Sequence, residues 1–426
     1  MSPIARRLVA LLVVALLVVG VAFLTLRGMG WEIGLGPRSA EPLATATPLP
    51  SVSTSAAPSA SEDAQATFAR IEDEVIAIRQ LPQAEIGAPE VIDRDQLAAE
   101  LEAIFEADYP PERREADNVT LRALGLLEAD QDVAELQLAL LSDQVIGFYD
   151  DTERRMVVVS EGGADATARI TYAHEYTHAL QDAAFGLDAL DTDAIGEDDR
   201  NLARISLVEG DASLAMVLWA IQHDPTGLAE VTETPVPDMS GIPPWMVDQL
   251  SFPYTAGANF VAWLYQNGGL DAVDAAYDDP PASTEQVLHP EKYAADEEPL
   301  QVEAVDVAAA LGDGWEAVPT TTLGEGLIAI WLAHLGADRP DADDAAGGWG
   351  GDRLAAASGP DGAVAMALRI AFDAPTQADD FERVYGELIG GLPFAARLER
   401  AAADAIVVVQ ASDAALLDDL VAAAGE

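Results

Sequence analysis

The sequence predicts an α+β protein: a mostly helical domain with one small hairpin, followed by a smaller mixed α/β unit. Over several long segments apolar residues recur at spacings of three and four, which is the period of an amphipathic helix. Segment 145–160 instead has two apolar runs around an acidic turn at Asp150–Glu153, which is typical of a β-hairpin. After residue 300, short apolar runs flank a Gly-Pro-Asp-Gly turn and alternate with helical segments, which favours a mixed α/β unit.

These patterns divide the chain into four parts. They are an N-terminal anchor at 1–30, a linker at 31–65, a main domain at 66–300 and a C-terminal α/β unit at 301–426. The linker is predicted because the stretch from Pro42 to about Ser61 is rich in Pro, Ala, Ser and Thr and has no hydrophobic period.

The anchor rests on an almost unbroken apolar run from Leu8 to Leu26. As a helix this run spans about 28 Å, the thickness of a bilayer core. Arg6 and Arg7 precede it and Arg27 follows it, so the N-terminus is expected inside. We therefore expect a single-pass cell-membrane protein whose main domain lies outside the cytoplasm. Secretion after cleavage of a signal peptide is the alternative.

Composition excludes several classes of function. The chain has 22 Lys+Arg against 74 Asp+Glu, a net charge of −52, and no cysteine. Such a charge repels phosphate, so a nucleic-acid partner is not expected. Without cysteine, a disulfide-stabilised fold, a thiolate metal ligand and a Cys nucleophile are excluded. Most of the acidic residues are expected to form a solvated surface.

The periodicity also places individual elements. We predict helices at 64–80, 95–106, 165–185, 200–222, 256–266, 270–277 and 377–388, with a further helix at the C-terminus. We predict strands at 353–357, 363–372 and 406–410. Asp95 and Asp165 are expected N-caps. The stretch from Val231 to Phe252 is punctuated by Pro and Gly, and Tyr254 is expected in the core.

One motif carries chemistry. Residues 171–182 read TYAHEYTHALQD, in which His174, Glu175 and His178 form H-E-x-x-H on a predicted helix. Histidines at i and i+4 project from one helix face, so both imidazoles can reach one metal ion. Glu175 is placed to act on a metal-activated water as a general base. Two surface histidines satisfied by solvent or carboxylates are the alternative.

A catalytic zinc needs a third protein ligand, for which Glu209 is the candidate. It lies in SLVEGDASL, within an otherwise apolar stretch where a carboxylate is costly to bury unless it is paired or coordinated. Gly210 and Ala212, which follow it, would let this helix approach another closely. The alternative for Glu209 is a salt bridge with an arginine such as Arg204.

Other residues are candidates for supporting roles. Asp211 is a rival ligand or an acceptor for a ligand imidazole N–H, and Asp182 is another such acceptor. The transition state needs a further donor, and the segment STEQVLHPEKY offers His289, Lys292 and Tyr293. His289 is the catalytic candidate among these. Lys292 is the only lysine in the chain.

At these residues the chain resembles the zincin metallopeptidases. HEYTHALQD is similar to the active-site helix of the thermolysin-like enzymes, and a glutamate on a later helix is the gluzincin pattern, which His174, His178 and Glu209 would fill. QVIGFYD, LVEGDA, FPYTAGANFV and STEQVLHPEKY also resemble segments of uncharacterised membrane-anchored bacterial metallopeptidase-like proteins, over about 70–300. The gap to Glu209 is longer than in thermolysin, and Ser213 stands where an Asp would follow.

The resemblance implies a zincin-like catalytic domain at 66–300 with Zn²⁺ as its cofactor. It implies hydrolysis of peptide bonds in a peptide or protein substrate, and an endopeptidase is expected because nothing marks a pocket for a chain terminus. The hairpin at 145–160 would bind the substrate as an added strand. The alternatives are a catalytically inactive zincin-fold binding or scaffold protein of the cell surface, and a surface-interaction protein with an accidental motif.

Overall fold

The computed structural model describes residues 59–145, 147–159, 163–233, 239 and 241–425. The predicted anchor at 1–30 and the linker up to residue 58 lie outside the described residues. The described chain is α+β, as predicted, with helices predominating over two small sheets.

The helices and strands have the following bounds. The helices are α1 Ser59–Arg79, α2 Arg94–Asp108, α3 Pro111–Leu124, α4 Val133–Gln144, α5 Ala166–Phe185, α6 Asp198–His223, α7 Pro225–Glu233, α8 Pro244–Asp278, α9 Thr284–Leu288, α10 Pro290–Ala294, α11 Val307–Leu311, α12 Gly324–His334, α13 Arg339–Ala346, α14 Pro375–Leu388 and α15 Leu417–Ala424. The strands are β1 Glu90–Ile92, β2 Gly147–Asp150, β3 Arg155–Val159, β4 Glu316–Ala317, β5 Trp349–Ser358, β6 Val364–Phe372, β7 Ala395–Ala402 and β8 Ala405–Ala411.

Helix α5, which carries the H-E-x-x-H motif, is buried on nearly every side. Its start is the predicted one, because the Asp165 side chain accepts a hydrogen bond from the backbone N–H of Ala168. It ends at Gly186, which adopts the left-handed conformation of a C-cap. Helices α1 and α6 and the hairpin pack around it. Polar side chains on a helix enclosed in this way have few partners other than groups of the protein itself.

Helices α6 and α8 form the closest helix pair at the site. A Cβ atom on Gly210 would lie 2.3 Å from the carbonyl oxygen of Gly257, and one on Gly257 would lie 2.2 Å from that of Ser206. Only glycine permits this backbone contact. The expected close approach at Gly210 is therefore present, and it brings the residues one turn before Gly257 against the residues beside Gly210.

Helix α6 also meets the length and hydropathy criteria for a membrane span, among the described residues. Of its most apolar 18 residues, 78% are buried inside the protein, as expected for a core helix.

The small sheet has the order β1-β3-β2. The predicted hairpin is present: β2 and β3 are antiparallel, with Tyr149 opposite Met156. The three-residue β1, which sequence patterns did not indicate, pairs in parallel with β3. Strand β3 is thus central, and β2 forms an edge of this sheet.

Several predicted bounds were wrong for identifiable reasons. Asp93, not Asp95, caps α2, because Asp93 and Gln96 form a reciprocal capping box. Helix α1 begins at Ser59, inside the predicted linker. The two helices predicted at 256–266 and 270–277 belong to α8, which is interrupted at Gly269 with a positive φ of 68°. That helix begins at Pro244 because proline is well suited to a first helical turn.

The C-terminal unit contains a five-stranded antiparallel sheet in the order β4-β5-β6-β8-β7. One face packs against α12, α13 and α14 together with α3 of the main domain, and the other against α11 and α15. The three predicted strands are present: β5 and β8 extend beyond their predicted bounds, and β6 begins one residue later than predicted. Strand β7 was missed because its sequence, AARLERAA, has no β-branched or aromatic residue.

Candidate metal centre

The three predicted metal ligands converge on one point. His174 Nε2 lies 3.1 Å from Glu209 Oε2, His178 Nε2 lies 3.5 Å from the same oxygen, and the two Nε2 atoms are 3.1 Å apart. The three residues come from α5 and α6 and are at most 2% exposed.

These distances fit a tetrahedral zinc site. Ligand bonds of about 2.05 Å at tetrahedral angles place neighbouring ligand atoms about 3.3 Å apart. The observed edges of 3.1–3.5 Å bracket this value. Two imidazoles and one carboxylate are also the donor set of a catalytic rather than a structural zinc. The residues therefore fit the metal by both geometry and donor type.

Electrostatics keeps this site charged despite its burial. Burial raises the pKa of Glu209, but the charge of His178 and the hydrogen bonds from both histidines outweigh burial and hold that pKa below its usual range. Burial lowers the pKa of His174. Burial also lowers the pKa of His178, but Glu209 outweighs it and raises the pKa to about 9. With this pKa, the His178 imidazole is protonated near neutral pH. A metal ion that binds there must displace that proton, because only neutral imidazole binds a metal.

Glu175 is held beside the ligands by β2. Its Oε2 accepts a hydrogen bond from the backbone N–H of Tyr149 at 3.1 Å, and its side chain is fully buried. Its Oε1 has no hydrogen-bond partner among the described residues. Burial raises the pKa of Glu175 well above the usual range for a carboxyl. The group is placed to take up a proton.

Tyr254 is a site residue that the sequence reasoning assigned only to the core. It is 3% exposed, but its ring lies 6.1 Å from that of His174 and its hydroxyl hydrogen-bonds to Glu209. Burial, together with the charges of Glu209 and Glu175, raises the pKa of Tyr254 well above its usual value. The hydroxyl therefore keeps its proton and can act as a donor. Because Tyr254 lies in a mostly apolar stretch, its sequence context predicts a place in the core and does not predict its contact with Glu209.

The two candidate supporting aspartates contact different residues of the site. Asp211 does not touch a ligand imidazole; it accepts from Gln181 Nε2 at 2.9 Å, and Gln181 in turn contacts His178. Asp182 accepts from the Tyr149 hydroxyl at 3.1 Å. It thus supports the residue that binds Glu175.

The predicted loop donors are engaged elsewhere. His289 Nε2 lies 2.9 Å from Glu325, Lys292 contacts three carboxylates, and the Tyr293 hydroxyl donates to a backbone carbonyl. The loop is anchored where Thr284 donates to Asp199 on α6. Ten residues of helix, about 15 Å, separate Asp199 from Glu209. The structure therefore does not bring His289, Lys292 or Tyr293 to the metal ligands.

Two further features help to define the site. Arg204 donates to the Leu190 carbonyl at 2.6 Å, and Glu209 is paired with histidines instead of Arg204. Glu285, Glu297 and Asp373 form a second group whose carboxylates could hold a cation, but the ammonium group of Lys292 contacts all three. The histidine-containing group is therefore the stronger metal site among the described residues.

Comparison with known proteins touches only the C-terminal unit. Residues 311–421 match a protein family described as "Domain of unknown function (DUF8575)". No curated protein and no solved structure matches the chain. The matched segment contains neither the H-E-x-x-H motif nor Glu209.

Proposed function

We propose that the protein is a zinc-dependent peptidase, acting as an endopeptidase on peptide or protein substrates. The observation that carries the proposal is the convergence of His174 Nε2, His178 Nε2 and Glu209 Oε2 within 3.5 Å of one another. When bound there, Zn²⁺ would polarise a scissile carbonyl and lower the pKa of a water toward about 7.

The chain's own residues supply the proton transfers. Glu175 Oε1, which has no partner among the described residues, is the atom that would accept a proton from water and pass it to the leaving amine. The protonated hydroxyl of Tyr254 would donate to the oxyanion of the transition state. This reassigns to Tyr254 the donor role expected for His289.

The edge of β2 is the proposed substrate-binding strand. The backbone N–H of Tyr149 points to Glu175, so this edge faces the metal site. Gly147 directs its backbone groups the same way, because strand residues two apart share an orientation. All four residues of β2 are buried, as are the metal ligands. Substrate binding therefore requires the surrounding elements to separate.

The same burial favours the second candidate function. An enclosed zinc whose ligands are at most 2% exposed would also suit a zincin-fold binding or scaffold protein that retains the metal for stability. In that case chelation lowers the melting temperature, yet no peptide is cut. The proposed location is the same for both: anchored by residues 1–30 with the folded part outside the cytoplasm, or secreted.

Glu175→Gln tests the proposal in the full-length protein. The variant should keep one zinc per chain and lose about 10²–10⁴-fold of its cleavage of a peptide library, because the general base is gone. Glu325→Gln is the matched control: it also changes a buried glutamate beside a histidine, and it should cleave as the parent does. A parent without stoichiometric zinc, or a Glu175→Gln variant as active as the parent, would contradict the peptidase function.

A further inference from the structure

The two ligand histidines are supported unequally. His178 Nδ1 lies 2.8 Å from Gln181 Oε1, one turn later on the same helix. His174 Nδ1 is buried and has no hydrogen-bond partner among the described residues. Of the two, only His178 has a described partner at Nδ1, the ring nitrogen that does not face the other ligands.

The orientation of the Gln181 amide is fixed by its other contacts. Gln181 Nε2 lies 3.0 Å from the carbonyl oxygen of Val208 and 2.9 Å from Asp211 Oδ2. A carbonyl oxygen only accepts hydrogen bonds, so the amide nitrogen must face Val208. The amide oxygen then faces His178, whose Nδ1 must be the donor. Nε2 of a neutral His178 therefore directs its lone pair at the metal position.

Asp211 completes this arrangement with help from α1 and α8. Its Oδ1 accepts from Arg79 Nε at 2.7 Å, and its Oδ2 also accepts from the Tyr277 hydroxyl at 2.9 Å. Arg79 is only 1% exposed and pairs with Asp274 as well. It is the last residue of α1, the first helix among the described residues. A chain of contacts therefore runs from α1 to a metal ligand.

We propose that Gln181 is a positioning residue that sets the metal affinity of this site, and that Asp211 acts through it. The inference rests on the proposed metal site but not on peptidase activity. Residues that orient a ligand imidazole typically change metal affinity by about 10–100-fold when they are replaced. Gln181→Leu removes the acceptor, so His178 can adopt the tautomer whose Nε2–H cannot bind a metal.

The test is a thermodynamic cycle on zinc affinity, measured by competition with a chromophoric chelator in the full-length protein. Gln181→Leu should weaken binding about 10–100-fold. Asp211→Asn should weaken it less, because Val208 still orients the amide. In the Gln181→Leu background, Asp211→Asn should cause no further loss, since residues in one network are not additive. The visible spectrum of the Co²⁺-loaded protein should change in the same order.

Two controls separate positioning from packing. Gln410→Leu removes an equally buried glutamine, which donates to the Tyr385 hydroxyl in the C-terminal sheet. It should lower stability and leave zinc affinity unchanged. Tyr277→Phe removes one donor to Asp211 without releasing Gln181, and it should keep the parent affinity.

If the losses of zinc affinity in Gln181→Leu and Asp211→Asn are additive, or if Gln181→Leu binds zinc as tightly as the parent, this proposal is wrong. The proposed metal site itself would still stand. A parent that binds no zinc would overturn the metal site itself. If Gln181→Leu does not fold, the zinc affinities of Asp211→Asn and Tyr277→Phe are compared. Equal affinities would contradict the proposal that Asp211 acts on His178 through Gln181.

Discussion

Two buried carboxylates, one in each part of the molecule, behave in opposite ways. Asp352 of β5 accepts hydrogen bonds from Leu323 N, Gly324 N and the indole of Trp349, and burial raises its pKa to about 6. Glu209 is equally buried, yet its histidine partners hold its pKa below the usual range. The donors to Asp352 are neutral, and two of them are backbone N–H groups at the start of α12, which Asp352 caps. Glu209 instead faces two imidazoles that could bind a cation together with it.

The two carboxylates also differ in the hydrogen bonding of the polar atoms around them. Within the described residues, the Asp352 carboxylate has partners on both oxygens. Around Glu209, Glu175 Oε1 and His174 Nδ1 are buried and have none. Unpaired buried groups cost about 1–3 kcal/mol each, and a bound metal ion with its water could offset that cost at this site. This contrast supports the proposal that the chemistry takes place around Glu209 in the main domain, and not at Asp352.

Removing a proposed metal ligand should have the largest effect on zinc content and on cleavage. His178→Ala deletes one corner of the proposed zinc site, so zinc should fall well below one per chain and cleavage should fall to the background of the assay. His223→Ala is the matched control, because His223 ends α6 beside Glu74 and away from the ligands. Metal analysis and peptide cleavage check both variants. Undiminished zinc in His178→Ala would show that the metal binds elsewhere.

Tyr254→Phe should have the next largest effect. Loss of one transition-state donor costs about 10²–10³-fold in kcat, and zinc content should stay at one per chain. His289→Gln, which alters a residue bonded to Glu325, should leave kcat unchanged. Steady-state kinetics on one peptide compares the pair. The reverse order, with His289 the critical residue, would contradict the assignment made from the structure.

Asp352→Asn should give the smallest effect, on stability alone. The pKa of Asp352 rises from about 3.8 on folding to about 6, so its protonated form stabilises the fold below pH 4 and that contribution is lost as the pH rises through 6. At about 1.4 kcal/mol per pKa unit, the parent should lose about 3 kcal/mol relative to Asp352→Asn over this range. Urea unfolding at several pH values measures it. A difference that does not vary with pH would argue against the raised pKa.

The parts that followed from the sequence are those with a strong local signal. Asp165 marks the start of α5, the acidic turn marks the hairpin, and the apolar surroundings of Glu209 single it out as a candidate ligand. Each of these depends on neighbours within one or two helical turns, or on the cost of burying a charge.

The parts that did not follow depend on contacts between distant segments. Tyr254 reaches Glu209 only because Gly210 and Gly257 let α6 and α8 touch, and no local pattern reports that contact. Gln181 is neutral, so its role at His178 has no charge signature. The donor role expected for His289 was assigned from its segment alone, whereas tertiary packing places that loop near the start of α6.

The central claim is that His174, His178 and Glu209 hold zinc. An anomalous difference map at the zinc absorption edge, from crystals of the full-length protein, tests it most directly. A single peak about 2.0–2.2 Å from both Nε2 atoms and from Glu209 Oε2 is the predicted result. No peak there, or a peak only among Glu285, Glu297 and Asp373, would contradict it.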